Sequence, residues 1–249
     1  MDTIEQVIDI ETADGPMATP IYRPADGQPR PAIIVIMEVF GVNANIQGIA
    51  QRFAAEGYVA VAPDLYHRTG RLRTAPYDNL AEFRDKLRQG FSDDSVVSDV
   101  SAAVHHLRGD SNVRGPIGIV GFCLGGKVSY LAAANVRGLT AAAVYYGGFL
   151  EGREEDPPGT KKPIEDTSKI TVPLIGFFGN DDNNPSPAQV SRIHEELNKH
   201  GVGHSFHSYG GAGHGFFCDD RDDYRPGAAA DAWRKTLEFF AQHLAGAGS

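Results

Sequence analysis

The stretch that decides the fold is residues 117–126, which read IGIVGFCLGG. A short apolar run is followed at once by the pattern Gly-x-Cys-x-Gly, with Cys123 at its centre. This spacing is typical of a strand that turns sharply into a helix, so that one nucleophilic side chain projects above a sheet. Flanking glycines remove Cβ atoms where the backbone crowds. The helix N-terminus that follows favours a thiolate at Cys123.

Two other interpretations of this turn stay open. Residues Gly121–Lys127 nearly match a phosphate-binding loop, although Val128 stands where that motif requires serine or threonine. Such a loop would indicate a nucleotide-binding protein. Alternatively, Cys123 could be an inert, buried residue on a tight turn, in a non-catalytic binding or scaffold protein of the same fold.

The composition is that of an ordinary globular enzyme, with 41% hydrophobic and 22% charged residues. The net charge is −9, and the only short basic cluster, Arg68, Arg71 and Arg73, is too small for a nucleic-acid surface. Two cysteines make no disulfide framework, and the sequence has no CxxC pair for zinc. Neither a signal peptide nor an apolar run of membrane-spanning length is evident. We expect a cytoplasmic protein without a metal, cofactor, nucleic-acid or membrane partner, and its oligomeric state is left unknown.

Strand-like and helix-like segments alternate along the whole chain. Two segments around the Asp14-Gly15 turn predict a hairpin. The predicted strands are Ile4–Ile10, Met17–Tyr22, Ala32–Met37, Tyr58–Ala62, Ile117–Val120, Thr140–Tyr146, Pro173–Phe178 and Ser205–Tyr209. The predicted helices include Ile46–Phe53, Leu80–Leu87, Asp94–Leu107, Leu124–Ala134, Pro187–His200 and Gly227–Leu244, and Gly147–Thr171 is predicted as a loop or lid. This alternation predicts an α/β fold, a mostly parallel sheet with helices on both faces, in one domain over residues 1–249.

Residues just past the strand ends of such a sheet meet at one edge, where sites form. A cysteine nucleophile needs a base, and the base needs an orienting group. His214 is the candidate base, because its glycine-rich loop lets an imidazole reach over neighbouring backbone; the alternative is a surface loop histidine. Either Asp181 or Asp182 could orient it or merely cap a turn, and we favour Asp182. His204 and His207 are three apart near a strand and would face opposite sides, so they predict no metal pair.

Glu38 directly follows a buried strand at the same predicted edge. A carboxylate there could hold the proton of the thiol and move away on substrate binding, or it could simply favour a helix start. We expect the oxyanion of an acyl-transfer reaction to be bound by the backbone N–H groups of Leu124 and Val39.

The sequence resembles the dienelactone hydrolase (carboxymethylenebutenolidase-like) family of the α/β-hydrolase superfamily over nearly its whole length. The motifs that carry this resemblance are Met37–Gly41, Ala62–Tyr66, Gly121–Gly126, Tyr145–Gly147, Gly179–Asp182 and Gly213–Phe216. The resemblance implies an α/β-hydrolase fold and a Cys123–His214–Asp182 triad that opens a small lactone or cleaves a small ester through an acyl-enzyme. It also implies that Glu38 hydrogen-bonds the resting thiol and is displaced by substrate.

One departure concerns the substrate carboxylate. The resemblance implies an arginine shortly after the catalytic histidine, but the first arginine after His214 is Arg221. A second family arginine could correspond to Arg68, Arg71 or Arg73. Phe216 and the adjacent Phe217 favour a more apolar pocket. The candidate substrate-binding residues are thus Arg68, Arg71, Arg73, Tyr145, Phe216 and Arg221, and Cys218 is expected in a pocket wall or in the core.

Overall fold

The computed structural model describes residues 1–81, 89–153 and 161–245, and within these ranges eight strands form one sheet. The order across it is β1-β2-β4-β3-β5-β6-β7-β8. The β1–β2 and β2–β4 pairs are antiparallel, whereas every pair from β4 to β8 is parallel. The strands are β1 (Thr3–Thr12), β2 (Gly15–Pro24), β3 (Arg30–Ile36), β4 (Val59–Val61), β5 (Val113–Phe122), β6 (Ala141–Tyr145), β7 (Leu174–Gly179) and β8 (His204–Tyr209). The predicted mostly parallel sheet is confirmed.

The main helices begin at the local signals that the sequence contains. Capping boxes at Ser92 and Ser186 close the first turns of two of them, and proline occupies the first turn of the last two. The helices are α1 (Ala44–Ala55), α2 (Asp93–Gly109), α3 (Leu124–Asn135), α4 (Pro187–Lys199) and α5 (Pro226–Leu244), with short 3₁₀ turns at His67–Thr69 and Pro163–Lys169.

Helices cover both faces of the sheet, as predicted. Gly118 and Gly121 lie three residues apart on β5 and therefore face opposite sides. A Cβ atom on Gly118 would meet the Phe240 ring of α5, whereas one on Gly121 would meet the backbone of α3. Helix α1 shares the α5 side, because the Phe53 and Trp233 rings pack 4.6 Å apart.

Three predictions concern segments that the structure describes only in part. Most of the predicted helix Leu80–Leu87 lies outside the described residues. The segment Gly147–Thr171 is not all loop, since Pro163–Lys169 forms a 3₁₀ turn, and its residues 154–160 also lie outside the described part. The single domain over residues 1–249 stays a prediction. Among the residues described, no helix combines the length and apolarity needed to cross a membrane.

The contact that positions the site lies between the first turn of α3 and the end of β3. A Cβ atom on Gly125 would lie 2.6 Å from the Met37 carbonyl oxygen and closer still to that of Ile36. Only glycine lets the helix sit this near the strand end. The close approach brings Cys123, which precedes α3, beside the loop that begins at Glu38.

We expect Gly125→Ala to lower the free energy of unfolding by about 2–3 kcal/mol, because the added methyl must push α3 off β3. Gly48→Ala is the matched control within α1, where no atom lies within 4 Å of the added Cβ. That control should be neutral or raise stability by about 0.5–1 kcal/mol. Urea unfolding of both variants checks the prediction, and equal stabilities would contradict it.

Candidate active site

Cys123 lies on the sharp turn between β5 and α3 and has an unusual backbone conformation. Its φ is 54° and its ψ −114°, a strained combination for a residue with a side chain. Its N–H donates to the Tyr145 carbonyl at 3.0 Å, and its own carbonyl accepts from the Gly126 N–H at 2.9 Å. These bonds fix the turn, and the thiol is left partly exposed at the carboxyl edge of the sheet.

His214 and Asp182 reach the same edge from two other loops. Asp182 follows β7, and His214 follows β8. The His214 Nδ1 donates to Asp182 Oδ2 over 2.8 Å, and the side chain of Asp182 is only 3% exposed. The His214 ring is also near enough to the side chain of Cys123 for the sulfur to raise the pKa of the imidazole. The structure thus brings these three predicted residues together, and Asp182 rather than Asp181 faces the imidazole.

The His214 imidazole is held in its charged form. Burial lowers its pKa, but the charge of a Cys123 thiolate and the Asp182 carboxylate outweigh this and raise the pKa to about 10. At neutral pH the ring therefore carries both protons, one directed at the carboxylate and one available to the sulfur.

Glu38 is buried, 1% exposed, on the other side of this group. Neither carboxylate oxygen meets hydrogen-bond geometry with any described residue, so the expected bond between Glu38 and the resting thiol is not formed. The Arg221 guanidinium lies 3.6 Å from Glu38 Oε1. Burial raises the pKa of Glu38, and Arg221, His214 and the nearby Tyr146 hydroxyl oppose that shift.

Tyr146 is a site residue that the sequence reasoning missed. The Tyr145 hydroxyl is fully buried and bonds Thr236 of α5 at 2.6 Å, so Tyr145 does not present its side chain to the site as predicted. Tyr146, the next residue, has its ring 5.1 Å from the His214 ring. Burial raises its pKa well above the ordinary value, with further contributions from Glu38 and Cys123. Its position just past β6 was the available signal.

The two predicted oxyanion donors lie on either side of the α3–β3 contact. Neither the Leu124 nor the Val39 amide has an acceptor within the described part of the chain. The Tyr66 hydroxyl donates to the Val39 carbonyl at 3.0 Å. Asp64 holds the Tyr66 segment in turn, because its fully buried carboxylate accepts from the Tyr66 and Leu72 amides at 3.0 and 2.6 Å. The motif Ala62–Tyr66 thereby anchors the loop that carries Val39.

The three arginines of the short basic cluster do not converge on the thiol. Arg68 makes a two-pronged ion pair with the fully buried Asp99 and a further one with Asp14. Arg71 pairs with Asp9 of β1. Arg73 is exposed, without an ion pair to any described residue. Their expected role in holding a substrate carboxylate therefore finds no support in this arrangement.

Arg221 is the predicted arginine that does reach the site. A Cβ atom on Gly215, which has a φ of 85°, would collide with its guanidinium group, so this side chain lies against the residue that follows His214. Its charge also lies 3.7 Å from Asp223 and 5.7 Å from the centre of the Phe40 ring.

Phe216 supports the loop from within, whereas Phe217 lines a cavity between α1 and the start of α5. Phe216 is fully buried between the rings of Tyr146 and Tyr209. Phe217 stacks on Phe122 at 5.3 Å. Cys218 is buried, as expected, and donates to the Tyr77 hydroxyl at 3.3 Å.

The open space beside the imidazole is polar. A cavity of about 400 Å³ is lined by residues of the two loops that carry Asp182 and His214, among them Asp181, Asn184 and Asp223. A larger cavity of about 550 Å³, between α1 and the start of α5, contacts none of the three central residues. No cluster of three or more potential metal ligands occurs in residues 1–81, 89–153 and 161–245.

The strand order, the strained cysteine turn and the loops after β7 and β8 define an α/β-hydrolase. The chain belongs to the dienelactone hydrolase family, whose model matches residues 17–244. A provisionally named carboxymethylenebutenolidase from Synechocystis sp. is 39% identical over 217 residues, which cover 86% of this chain and 87% of that protein. A Bradyrhizobium protein, provisionally named 2-oxo-3-(5-oxofuran-2-ylidene)propanoate lactonase, is 30% identical over 96% of this chain and 94% of its own length.

The fold comparison agrees. The crystal structure of a provisionally named dienelactone hydrolase from Klebsiella pneumoniae superposes with a TM-score of 0.87 at 28% identity, covering 97% of this chain and 100% of that one. The resemblance drawn from the motifs is therefore confirmed, and the chain is a lactone or ester hydrolase. The phosphate-loop interpretation finds no support, because Lys127 is engaged with Asp93 at 2.6 Å.

We expect both Cys123→Ala and Asp182→Asn to lower the pKa of His214 from about 10, because each removes a negative partner of the imidazolium. The charged pairing stabilises the fold fully below the ordinary histidine pKa of about 6.5, and that contribution is lost as pH rises toward 10. NMR titration of the His214 ring in wild type and both variants measures the shift. An unchanged pKa in both variants would contradict the prediction.

Proposed function

We propose that the protein hydrolyses a small lactone or ester through a covalent thioester on Cys123. The observation that carries this proposal is the convergence of three residues from distant stretches of the chain: His214 is hydrogen-bonded to Asp182, and Cys123 is near enough to raise the pKa of the imidazole. A nucleophile, a base and an orienting carboxylate in this order constitute the machinery of acyl transfer.

In the first half-reaction, the sulfur of Cys123 attacks the carbonyl carbon, and the proton of the thiol resides on His214. The carbonyl π electrons move to oxygen, where the Leu124 and Val39 amides donate to the oxyanion; each such donor contributes about 3 kcal/mol in comparable sites. The tetrahedral intermediate then collapses by breaking the carbon–oxygen bond of the ester or lactone. His214 gives its proton to the leaving alkoxide, and Asp182 keeps the ring oriented.

In the second half-reaction, His214 takes a proton from water as the water oxygen attacks the thioester. Collapse of this second intermediate breaks the carbon–sulfur bond, releases the carboxylic acid and returns the proton to the Cys123–His214 pair. Tyr66 supports both steps by holding the carbonyl of Val39, so that the oxyanion loop keeps its position.

Arg221 and Glu38 form the proposed selectivity element of this site. Arg221 lies against Gly215, next to the imidazole, and its nearest described carboxylates are 3.6 and 3.7 Å away rather than in direct hydrogen bonds. A substrate carboxylate could therefore bind the guanidinium and release Glu38 from it. The name of the Bradyrhizobium relative includes a propanoate group, which supports an anionic substrate class.

Cys123→Ala should abolish turnover, and wild-type enzyme should show a burst of nitrophenolate with an activated ester as the thioester accumulates. Cys218→Ala is the matched control, since this second thiol is buried against Tyr77 away from the reacting line. Stopped-flow absorbance measures the burst, and mass spectrometry locates the acyl group. Full activity of Cys123→Ala would end the proposal.

Arg221→Gln should lower kcat/KM for a carboxylate-bearing lactone by roughly 10–100-fold, the loss expected for a hydrogen bond to a charged group. A neutral ester serves as the internal control, and its kcat/KM should change far less. Arg71→Gln, which removes an exposed arginine paired with Asp9, should leave both substrates unaffected. An equal fall for the anionic and the neutral substrate would contradict the assignment of Arg221.

A further inference from the structure

Two histidines outside the active site point ring nitrogens at each other. His194 lies on the exposed face of α4, and His204 is the first residue of the neighbouring strand β8. The His204 Nε2 and His194 Nδ1 atoms are 2.8 Å apart, with the ring centres separated by 4.8 Å. Phe206 packs against both rings, at 6.0 and 5.1 Å, and closes one side of the pair.

The surrounding hydrogen bonds fix which nitrogen carries each proton. The His204 Nδ1 faces the carbonyl oxygen of Val202 at 2.8 Å and must therefore donate to it. The neutral ring of His204 then has its lone pair on Nε2, which accepts from His194 Nδ1. That leaves the lone pair of His194 on Nε2, where it accepts from the Asn198 amide at 2.9 Å.

The two imidazoles are arranged like a pair of metal ligands, except that a hydrogen-bonded proton lies between the two nitrogens where the ion would lie. A histidine ligand ordinarily donates its second ring nitrogen to a carbonyl or carboxylate, as His204 does to Val202, and this fixes the ring for coordination. Imidazole suits borderline divalent ions such as zinc, nickel and copper. To free the Nδ1 lone pair of His194, its proton must move by way of solvent to Nε2, and the Asn198 side-chain amide must turn so that its oxygen accepts that proton. The Nδ1 lone pair of the neutral His194 ring then faces that of His204 Nε2.

The fit requires a small opening of the pair. Two nitrogens bound tetrahedrally at 2.0–2.1 Å from one ion lie about 3.3–3.4 Å apart, so the present separation of 2.8 Å must widen by roughly half an ångström. The exposed side chain of His194 can supply this by a small rotation. Water would complete the coordination.

We propose that His194 and His204 form a binding site for one divalent transition-metal ion, which clips α4 to the start of β8. This site is independent of the proposed hydrolytic function. Protonation of either imidazole competes with the ion, so binding should weaken as pH falls.

The test is titration calorimetry with Ni²⁺, which does not oxidise thiols as copper does. The full chain is first alkylated at Cys123 with iodoacetamide, so that the active-site thiol cannot bind the ion. One Ni²⁺ per chain should bind, with a rise in melting temperature because the folded state is selectively stabilised. His204→Asn and His194→Asn should each weaken binding by about tenfold or more.

His200→Asn is the matched control, because His200 is also exposed on this side of the molecule but pairs with Glu196 at 2.9 Å instead of a second histidine. It should bind Ni²⁺ like the parent. Melting curves without metal verify that each variant folds. Undiminished binding in both His194→Asn and His204→Asn, or no saturable binding in the parent at pH 7.5, would overturn the proposal.

Discussion

The whole site depends on how closely the backbone of α3 approaches the ends of β3 and β5. Cys123 has a conformation that costs about 1–3 kcal/mol for a residue with a side chain. Gly121 and Gly125 make that conformation attainable, because any Cβ at either position would overlap backbone atoms. Packing of β3, which is buried from Ala32 to Ile36, offsets the strain. The result is a thiol raised above the sheet edge, with the amide of Leu124 beneath it and that of Val39 alongside.

Two buried ionisable groups in this crevice, His214 and Glu38, both have a raised pKa, but the physical cause differs. His214 is buried, yet its pKa rises, because the negative charges of Cys123 and of the hydrogen-bonded Asp182 outweigh the cost of desolvation. Glu38 is also buried, but it has no hydrogen bond to a described residue, and the Arg221 guanidinium lies 3.6 Å from its Oε1. Desolvation therefore has the larger effect, and the pKa of Glu38 rises as well. A raised pKa favours the charged form of the imidazole but the neutral form of the carboxyl group. One side of the crevice thus holds the ion pair of His214 and Asp182. The other side holds the carboxyl group of Glu38, which has no hydrogen bond to a described residue.

Whether a feature could be predicted from the sequence depends on how close together along the chain the residues that signal it lie. The cysteine turn and the His214 loop were found because glycine spacing and strand ends are short-range patterns. The ion pairs of Arg68 and Arg71 could not be predicted, because their partners, Asp99 and Asp9, lie on a distant helix and strand. Tyr145 was chosen in place of Tyr146 because a strand end is uncertain by one residue, and a shift of one residue reverses the face. The His194–His204 pair has no local pattern at all, since β8 returns beside α4 only in the folded chain.

Spacing along the chain is also a poor guide to where a substrate anion would be held. Arg221 follows His214 by seven residues, so its place beside the imidazole does not follow from the spacing alone. Gly215 removes this difficulty: its φ of 85° reverses the chain, and its missing Cβ leaves the space that the guanidinium fills. The backbone bond from the Arg225 amide to the Phe216 carbonyl, 3.0 Å long, then closes the loop. A loop of seven residues can therefore place an arginine side chain beside the histidine, provided that glycine follows the histidine directly.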